Sequence, residues 1–346
     1  MDPIRVGIVG AGGNTRLRHI PGFRAIDGVQ LAGVVNRSTE SSERAAKEFE
    51  IPKTYPDWQS LVDDGEIDAV MIGTWPNLHC DVTCAALAAG KHVLTEARMA
   101  RNLEEALRMS EAARAHPNLV TQIVPSPFGL VQHNVIREML DDGFLGELRE
   151  LVVLGANDLF WDKNKPLHWR QDAEISGQNL LAMGILHEAA LRFSPAPTHV
   201  YAQAKIFEPT RPDTANDSDS PVTVPDSVQV TTQLKGGGRG LYHLSGIALF
   251  GPGLQIHLYG SQGTIKLEVA PEERLLAGRA GDSELHEVAI PDEKRGGWRV
   301  EEEFICAIRD GQPVQFTDFD SGVLYMQFTD AVARSAKSGQ LVEIEM

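Results

Sequence analysis

Cysteine is scarce in this chain: Cys80, Cys84 and Cys306 are its only three among 346 residues. Three cysteines cannot build a disulfide framework, and none stands in a Cys-x-x-Cys pair that would point to a redox centre or a zinc site. Cys80 and Cys84 lie four apart in a segment that reads as helix, where they are expected to be small buried side chains. The expected compartment is a reducing cytoplasm. Long apolar runs are missing as well. The longest are strand-length, such as Asp68-Ala-Val-Met-Ile-Gly73, whereas a membrane span needs about 20 apolar residues. The stretch Met1-Asp-Pro-Ile-Arg-Val-Gly7 has no basic region followed by an apolar one, so no signal peptide is expected. Basic residues are in deficit, with 32 Lys and Arg against 48 Asp and Glu and a formal net charge of −16. Such a surface repels phosphate backbones and anionic membranes, so nucleic acid and membrane are poor partners. The eleven histidines show no metal-ligand spacing, and no metal is expected. A Gly-x-Ser-x-Gly elbow and a Walker lysine are also lacking.

What the chain does have is length for about two domains at roughly 150 residues each. Its first part alternates strand and helix patterns. Short apolar strands are expected at Ile4–Val9, Val29–Val35, Ala69–Ile72, Lys91–Thr95 and Leu119–Val124. Helical stretches lie between them, from Thr15 to Ile26, Thr39 to Phe49, Asp57 to Asp64 and Asn77 to Ala89, the last ending at Gly90. Such alternation with short connections predicts βαβ units and a parallel, doubly wound sheet, the Rossmann architecture. After Pro125-Ser-Pro127 the pattern changes. Period-2 segments dominate at Glu150–Leu154, Val228–Leu234, Leu254–Tyr259 and Thr264–Val269, with glycine turns at Gly236–Gly240 and Gly260–Gly263. This predicts an open, mostly antiparallel sheet covered by a long helix from Ile175 to Phe193. Pro209–Pro225 reads as a mobile surface loop, and helices are expected at Val300–Asp310 and Phe319–Ser338. The fold class is therefore α/β. A dinucleotide-binding Rossmann domain is expected at 1–125 and an α/β domain for substrate binding and oligomerisation at 126–346, its C-terminal helix free to return to the first.

Gly10-Ala-Gly-Gly-Asn-Thr15 follows the first strand and opens a helix. Gly10, Gly12 and Gly13 allow a tight turn and close approach of backbone to a pyrophosphate. Asn14 and Thr15 open the helix, whose N-terminal N–H groups favour an anion. The strict fingerprint has a third glycine where this chain has Thr15. The second strand ends in Asn36, Arg37 and Ser38. An acid there would bind the ribose 2′-OH and reject a 2′-phosphate. Asn36 removes that charge, while Arg37 and Ser38 offer a cation and a hydroxyl. NADP is therefore expected ahead of NAD, unless Arg37 only stacks on adenine and Asn36 binds a 2′-OH.

These segments resemble the glucose–fructose oxidoreductase, inositol dehydrogenase and MocA family (Gfo/Idh/MocA) over nearly the whole chain. The residues that carry the resemblance are the glycine turn, His19-Ile-Pro-Gly-Phe23, Thr74-Trp-Pro-Asn-Leu-His79 and Ala89-Gly-Lys-His-Val-Leu-Thr-Glu96. Further along come Gly143-Phe-Leu-Gly146, Trp169-Arg-Gln-Asp172, Ser176-Gly177, Gly184-Ile-Leu-His187, Gly260-Ser-Gln-Gly-Thr264 and Ser335-Ala-Lys-Ser-Gly339. The resemblance implies hydride transfer between NAD(P) and a sugar, polyol or related hydroxy compound, at the carboxyl ends of the parallel strands. It also implies a homo-dimer or homo-tetramer. Three departures qualify it. Ala97 stands where the family's Glu-Lys-Pro has lysine and Arg98 where it has proline, Ala182 stands where an aspartate precedes the histidine, and the glycine turn is one residue longer before His19. His187 is left as the expected acid/base, with His168 and Lys165 next in line. Thr74, Trp75, Asn77, His79, Glu96 and Arg98 are expected near the cofactor, with simple capping as the alternative for Asn77. Trp169, Arg170 and His168 are expected near the substrate, or in interdomain packing. Two rival functions remain: a non-redox sugar enzyme with tightly bound NAD(P), and a non-catalytic cofactor-binding regulator.

Overall fold

The structure, a computed structural model, describes residues 2–214, 218–269 and 272–345. The chain divides into two compact units, Met1–Pro125 with Arg299–Val323, and Ser126–Trp298 with Leu324–Met346. The boundary at 125 thus coincides with the composition change, but residues 299–323 return to the first unit.

The first unit holds a five-stranded sheet: β1 (Ile4–Val9), β2 (Val29–Val35), β3 (Ala69–Ile72), β4 (His92–Thr95) and β5 (Thr121–Ile123), in the order β2-β1-β3-β4-β5. Every pairing is parallel. All four residues of β3 are buried, as a central strand covered on both faces requires. Helices α1 (Ile20–Arg24), α2 (Thr39–Glu48), α3 (Trp58–Val62), α4 (Pro76–Ala88) and α5 (Leu103–Ala115) connect these strands. Three of these starts carry a side-chain cap. Ser38 and Ser41 form a reciprocal capping box on α2, Asp57 caps α3 and Asn102 caps α5. Gly90, at φ +76°, takes the left-handed position after α4.

The helix expected over Thr15–Ile26 is instead a π-helical turn, Thr15–His19, followed by the short α1. An i→i+5 turn takes up one more residue than an α-turn, which accommodates the longer spacing before His19.

The second unit is built on β6 (Leu148–Ala156), β7 (Pro197–Lys205), β8 (Thr210–Asp213), β9 (Ser218–Pro221), β10 (Ser227–Leu234), β11 (Arg239–Ser245), β12 (Gly253–Gly260), β13 (Gly263–Val269), β14 (Glu273–Arg279), β15 (His286–Glu287) and β16 (Val342–Glu343). Nine of these form one sheet in the order β15-β14-β13-β12-β6-β11-β10-β7-β16, antiparallel except between β6 and β11. Along β10 burial alternates residue by residue, with Val228, Val230, Thr232 and Leu234 inward. The inward face forms a core with α6 (His133–Asp141), α8 (Met183–Leu191) and the part of α10 (Phe319–Ser338) that carries Phe328, Ala331 and Val332.

Two expectations are corrected here. The single helix over Ile175–Phe193 is broken into α7 (Ala173–Ser176) and α8. Gly177 and Leu181 both adopt positive φ, and the buried Asn179 amide donates to the Ser176 carbonyl, which competes with helix continuation. The segment 209–225 is not simply a loop. It carries the β8–β9 hairpin, anchored by Arg211, whose guanidinium is 1% exposed and bonds the carbonyls of Asp162 and Phe160. Residues 215–217 of that segment lie outside the described residues. Among the described residues no helix is long and apolar enough to cross a membrane. Helix α9 (Val300–Asp310) belongs to the first unit, where Phe304 meets Phe23 edge-on at 6.5 Å.

Candidate active site

The carboxyl ends of β1–β4 gather the first set of predicted residues. Gly10 sits at φ +91° and its N–H donates to the Val35 carbonyl at 2.8 Å. A Cβ there would lie 2.9 Å from the Thr74 nitrogen, so only glycine fits. Gly12 and Gly13 differ from it. A Cβ on Gly12 would meet only the Gly73 carbonyl at 3.3 Å, and one on Gly13 would meet nothing within 4 Å. The turn therefore leaves open space in front of bare backbone at the start of a helix. This is the cradle that a pyrophosphate requires, and the residues present fit a dinucleotide.

Several neighbours prove to be braces of that turn. The buried Thr15 hydroxyl donates to the Gly10 carbonyl at 3.1 Å, so its side chain closes the turn rather than facing a ligand. Asn36 accepts from the Ala11 N–H at 2.7 Å and donates to the Ser41 carbonyl at 2.9 Å, tying the turn to α2. Ser38, expected as a phosphate donor, spends its hydroxyl on the α2 cap. His79 is fully buried between the carbonyls of Arg98 (2.8 Å) and Thr74 (3.1 Å). Burial lowers its pKa, so the neutral ring donates once, and we assign the donor to the shorter contact. It links the ends of β3 and β4 instead of touching a cofactor. Capping does not explain Asn77: the N-cap of α4 is Trp75, with Pro76 following. Thr74 turns its hydroxyl onto the Trp75 carbonyl, and Arg98 is buried. Among the predicted cofactor side chains, Arg37 and Trp75 are exposed, a guanidinium 6.0 Å from the centre of a half-exposed indole.

Beneath the turn lies a cluster that the sequence reading missed. His19, with no exposed surface, places Nδ1 2.5 Å from a Glu301 carboxylate oxygen and Nε2 3.0 Å from Glu96 Oε1. The Asn14 amide donates to the same Glu96 oxygen at 2.5 Å. Burial works against a charged ring, yet Glu301 and Glu96 together raise its pKa to about 9. Burial likewise opposes ionisation of Glu96, but His19 and Asn14 hold its pKa below the usual value. His19 appeared in a motif but carried no sign of its partner, because Glu301 is 282 positions away.

In the second unit the structure places His187, the expected acid/base, in the core. Its ring is 1% exposed, stacks on Phe328 at 3.8 Å and shares a 2.8 Å hydrogen bond with the buried Tyr242 hydroxyl. Burial drives its pKa down to about 3, so at neutral pH the ring is uncharged and has little basicity. The reason is helical geometry. The partly exposed stripe of α8 runs through Ile185, in line with Ala182 just before the helix, and two residues on from Ile185 the side chain points about 200° away, into the core. His168, Trp169 and Arg170 do cluster. The Arg170 guanidinium lies over the indole at 4.1 Å, and the His168 ring packs against Trp169 and Phe160. One indole face is thereby covered by a cation rather than left for a sugar. His168 Nδ1 accepts from the Arg170 N–H at 3.2 Å, which puts the ring proton on Nε2. Burial and then Arg170 hold its pKa at about 4, so it is a neutral donor, not a base. Among the described residues no group of three His, Cys, Asp or Glu side chains could hold a metal.

The sequence matches two family profiles. Residues 4–123 match the oxidoreductase family with an NAD-binding Rossmann fold, and residues 133–266 match the Gfo/Idh/MocA C-terminal domain. An uncharacterised oxidoreductase of Rhizobium meliloti, ORF334, is 27% identical over 368 aligned positions, covering 98% of each chain. Levoglucosan dehydrogenase of Pseudarthrobacter phenanthrenivorans is 28% identical over 148 residues, 43% of this chain and 38% of that one. A solved levoglucosan dehydrogenase in complex with NADH and L-sorbose superposes with a TM-score of 0.89 at 22% identity, over 99% of both chains, a likeness of fold.

Two of the buried histidines, His19 and His187, predict the two limbs of a stability dome. His19 has its pKa raised from 6.5 to about 9, so its contribution is complete below pH 6.5 and is lost as pH rises towards 9. His187 has its pKa lowered to about 3, so the unfolded chain gains a proton first and stability falls as pH drops from 6.5 towards 3. Urea midpoints across pH should show both limbs, and His187→Phe should make only the acidic one shallower, leaving the share of His79, His133 and His168. An unchanged acidic limb in that variant would contradict the sealed, neutral His187.

Proposed function

The chain belongs to the Gfo/Idh/MocA family of oxidoreductases, and we propose that it transfers a hydride between a nicotinamide dinucleotide and a hydroxyl-bearing carbon of a sugar or polyol. The observation that carries this reading is the glycine turn after β1, with open space at Gly13 and only the Gly73 carbonyl near Gly12. The name of one relative, levoglucosan dehydrogenase, points to carbohydrate. A bound nicotinamide would supply the redox chemistry. The chain's own residues would do the rest. Bare N–H groups at the glycine turn would hold the pyrophosphate, and Arg37 with Trp75 would frame the adenosine end. His168, through Nε2–H, and Arg170 would bind substrate oxygens. Ala97 and Ala182 cannot take the hydroxyl proton and His187 is sealed away, which leaves Lys165 or water as its acceptor. That same shortage favours, as a second reading, a cofactor-binding regulator without turnover. Its three thiols are free, which suits the cytoplasm, where we place it.

Nicotinamide absorbance followed over a panel of sugars and polyols, with NAD and NADP, is the direct test. Stoichiometric change with one substrate is expected. Product without net absorbance change would mean a non-redox reaction, and binding without any turnover would mean a regulator. Gly12→Val should lose more than about tenfold in dinucleotide affinity, because its side chain enters the pyrophosphate space, and Gly13→Val, whose Cβ would meet nothing within 4 Å, is the variant to use if the 3.3 Å contact of Gly12 with the Gly73 carbonyl disturbs folding. Unchanged affinity would sink the placement.

We infer a preference for NADP, resting on the exposed Arg37 and the absence of an acid at Asn36. A charge-assisted bond to the 2′-phosphate is worth about 1.5–3 kcal/mol, so Arg37→Ala should weaken NADP roughly 10- to 150-fold more than NAD. Equal losses would reassign Arg37 to the adenine.

A homo-oligomer is proposed through the outer face of the nine-stranded sheet. One cross-strand row there aligns Tyr201, Thr231, Leu241, Val152 and His257, and Tyr201 and Leu241 are 38% and 44% exposed. Light scattering at micromolar concentration should give a dimer or tetramer, and Leu241→Asp should dissociate it; a monomeric wild-type mass rules the proposal out.

A further inference from the structure

The cluster beneath the glycine turn joins four residues from separate parts of the first unit: Asn14 at the turn, His19 in the π-helical turn, Glu96 after β4 and Glu301 on α9. Its chemistry dictates how each group is oriented. An ionised carboxylate only accepts hydrogen bonds. Both ring nitrogens of His19 face carboxylates, so only the doubly protonated ring satisfies both. A neutral ring would turn a lone pair onto one of them. Glu96 Oε1 then takes the His19 Nε2–H and an Asn14 amide N–H, while Glu96 Oε2 accepts from the Ala97 N–H at 3.2 Å. Gly22 makes the far end of the chain possible, since a Cβ there would stand 2.6 Å from Glu301 Oε2.

The consequence falls on Asn14. With its NH2 turned onto Glu96 at 2.5 Å and lying 3.3 Å from His19 Nε2, its amide oxygen faces away from the carboxylate, and that oxygen is an acceptor. A pyrophosphate carries only acceptors and gains nothing from it. Ribose hydroxyls and a carboxamide NH2 are donors. We propose that Glu301, His19 and Glu96 form a positioning chain that locks Asn14 as a hydrogen-bond acceptor for the nicotinamide-riboside half of the dinucleotide. This rests on the cofactor reading above and adds which half of the cofactor the buried chain serves.

Among the groups facing the ring are Glu301 from α9, Glu96 from the end of β4 and Asn14 from the turn, and the neutral His79 on α4 is a further titratable group near Glu96. The test compares binding of the reduced dinucleotide with binding of ADP-ribose, which lacks the nicotinamide, to the full-length protein. His19→Gln should lower the dinucleotide-to-ADP-ribose affinity ratio by about three- to tenfold, the range for one neutral hydrogen bond. Equal losses for both ligands would mean that His19 merely supports the turn, and an unchanged ratio would mean that Asn14 is not positioned by it; either overturns the proposal. If the wild type binds ADP-ribose but not the dinucleotide preferentially, the chain has no nicotinamide contact to position and the proposal also fails. If it binds neither, the cofactor reading itself has failed. Glu301→Gln keeps the shape of the cluster and serves where His19→Gln does not fold. The wild-type ratio should hold up to about pH 9 and fall above it, and in Glu301→Gln the fall should start at lower pH. A pH profile identical in both proteins would overturn the proposal.

Discussion

A contact between bare backbones holds the functional face of the first unit together. A Cβ on Gly73 would lie 2.0 Å from the Thr15 hydroxyl oxygen and 2.3 Å from the Gly10 carbonyl oxygen. The ends of β1 and β3 therefore pack closely, with only the Thr15 side chain fitted beside Gly73. Because they touch, the Thr15 hydroxyl can close the glycine turn, and the next residue, Thr74, meets the left-handed Gly10. Asn36 extends the brace to α2 and His79 extends it to the end of β4. Many residues expected to bind a cofactor turn out to hold the cradle, and the cradle offers mainly backbone. That division follows from the size of a pyrophosphate, which must approach N–H groups more closely than a side chain would permit.

The histidines show how strongly environment separates identical side chains. All start from a pKa near about 6.5. His19 is driven up to about 9 because two carboxylates outweigh its burial. His187, buried as deeply but against Phe328 and Tyr242, falls to about 3. His168 has one nitrogen tied to a backbone N–H and is held as a neutral donor. The residue that looked catalytic by its motif is part of the core, and His19, a motif histidine given no role, is the charged centre of a buried network.

Much of the fold was legible because it rests on local rules. Strand–helix alternation placed all five parallel strands, and Val300–Asp310 and Phe319–Ser338 were visible from helical periodicity alone. The break at Gly177–Ala182 was not, because it depends on Asn179 bonding backward and on Leu181 adopting φ +48° within a packed core. Strand β7 follows prolines and reads weakly by itself; pairing with β10 along eight residues makes it a strand. The Arg211 anchor was hidden in a polar, proline-rich stretch, since what buries it is the carbonyl edge of a distant loop.

The sequence by itself determined the βαβ order, the glycine turn and the absence of an acid after β2, since each depends on residues close in the chain and on backbone sterics. It also determined the family, through motifs spread over both units. Only the tertiary structure decided which way α8 turns His187, which polar side chains brace the turn, and that His19 is charged. Those outcomes depend on burial and on partners brought from as far as 282 positions away, and a side chain's pKa and orientation are set by the neighbours that folding supplies.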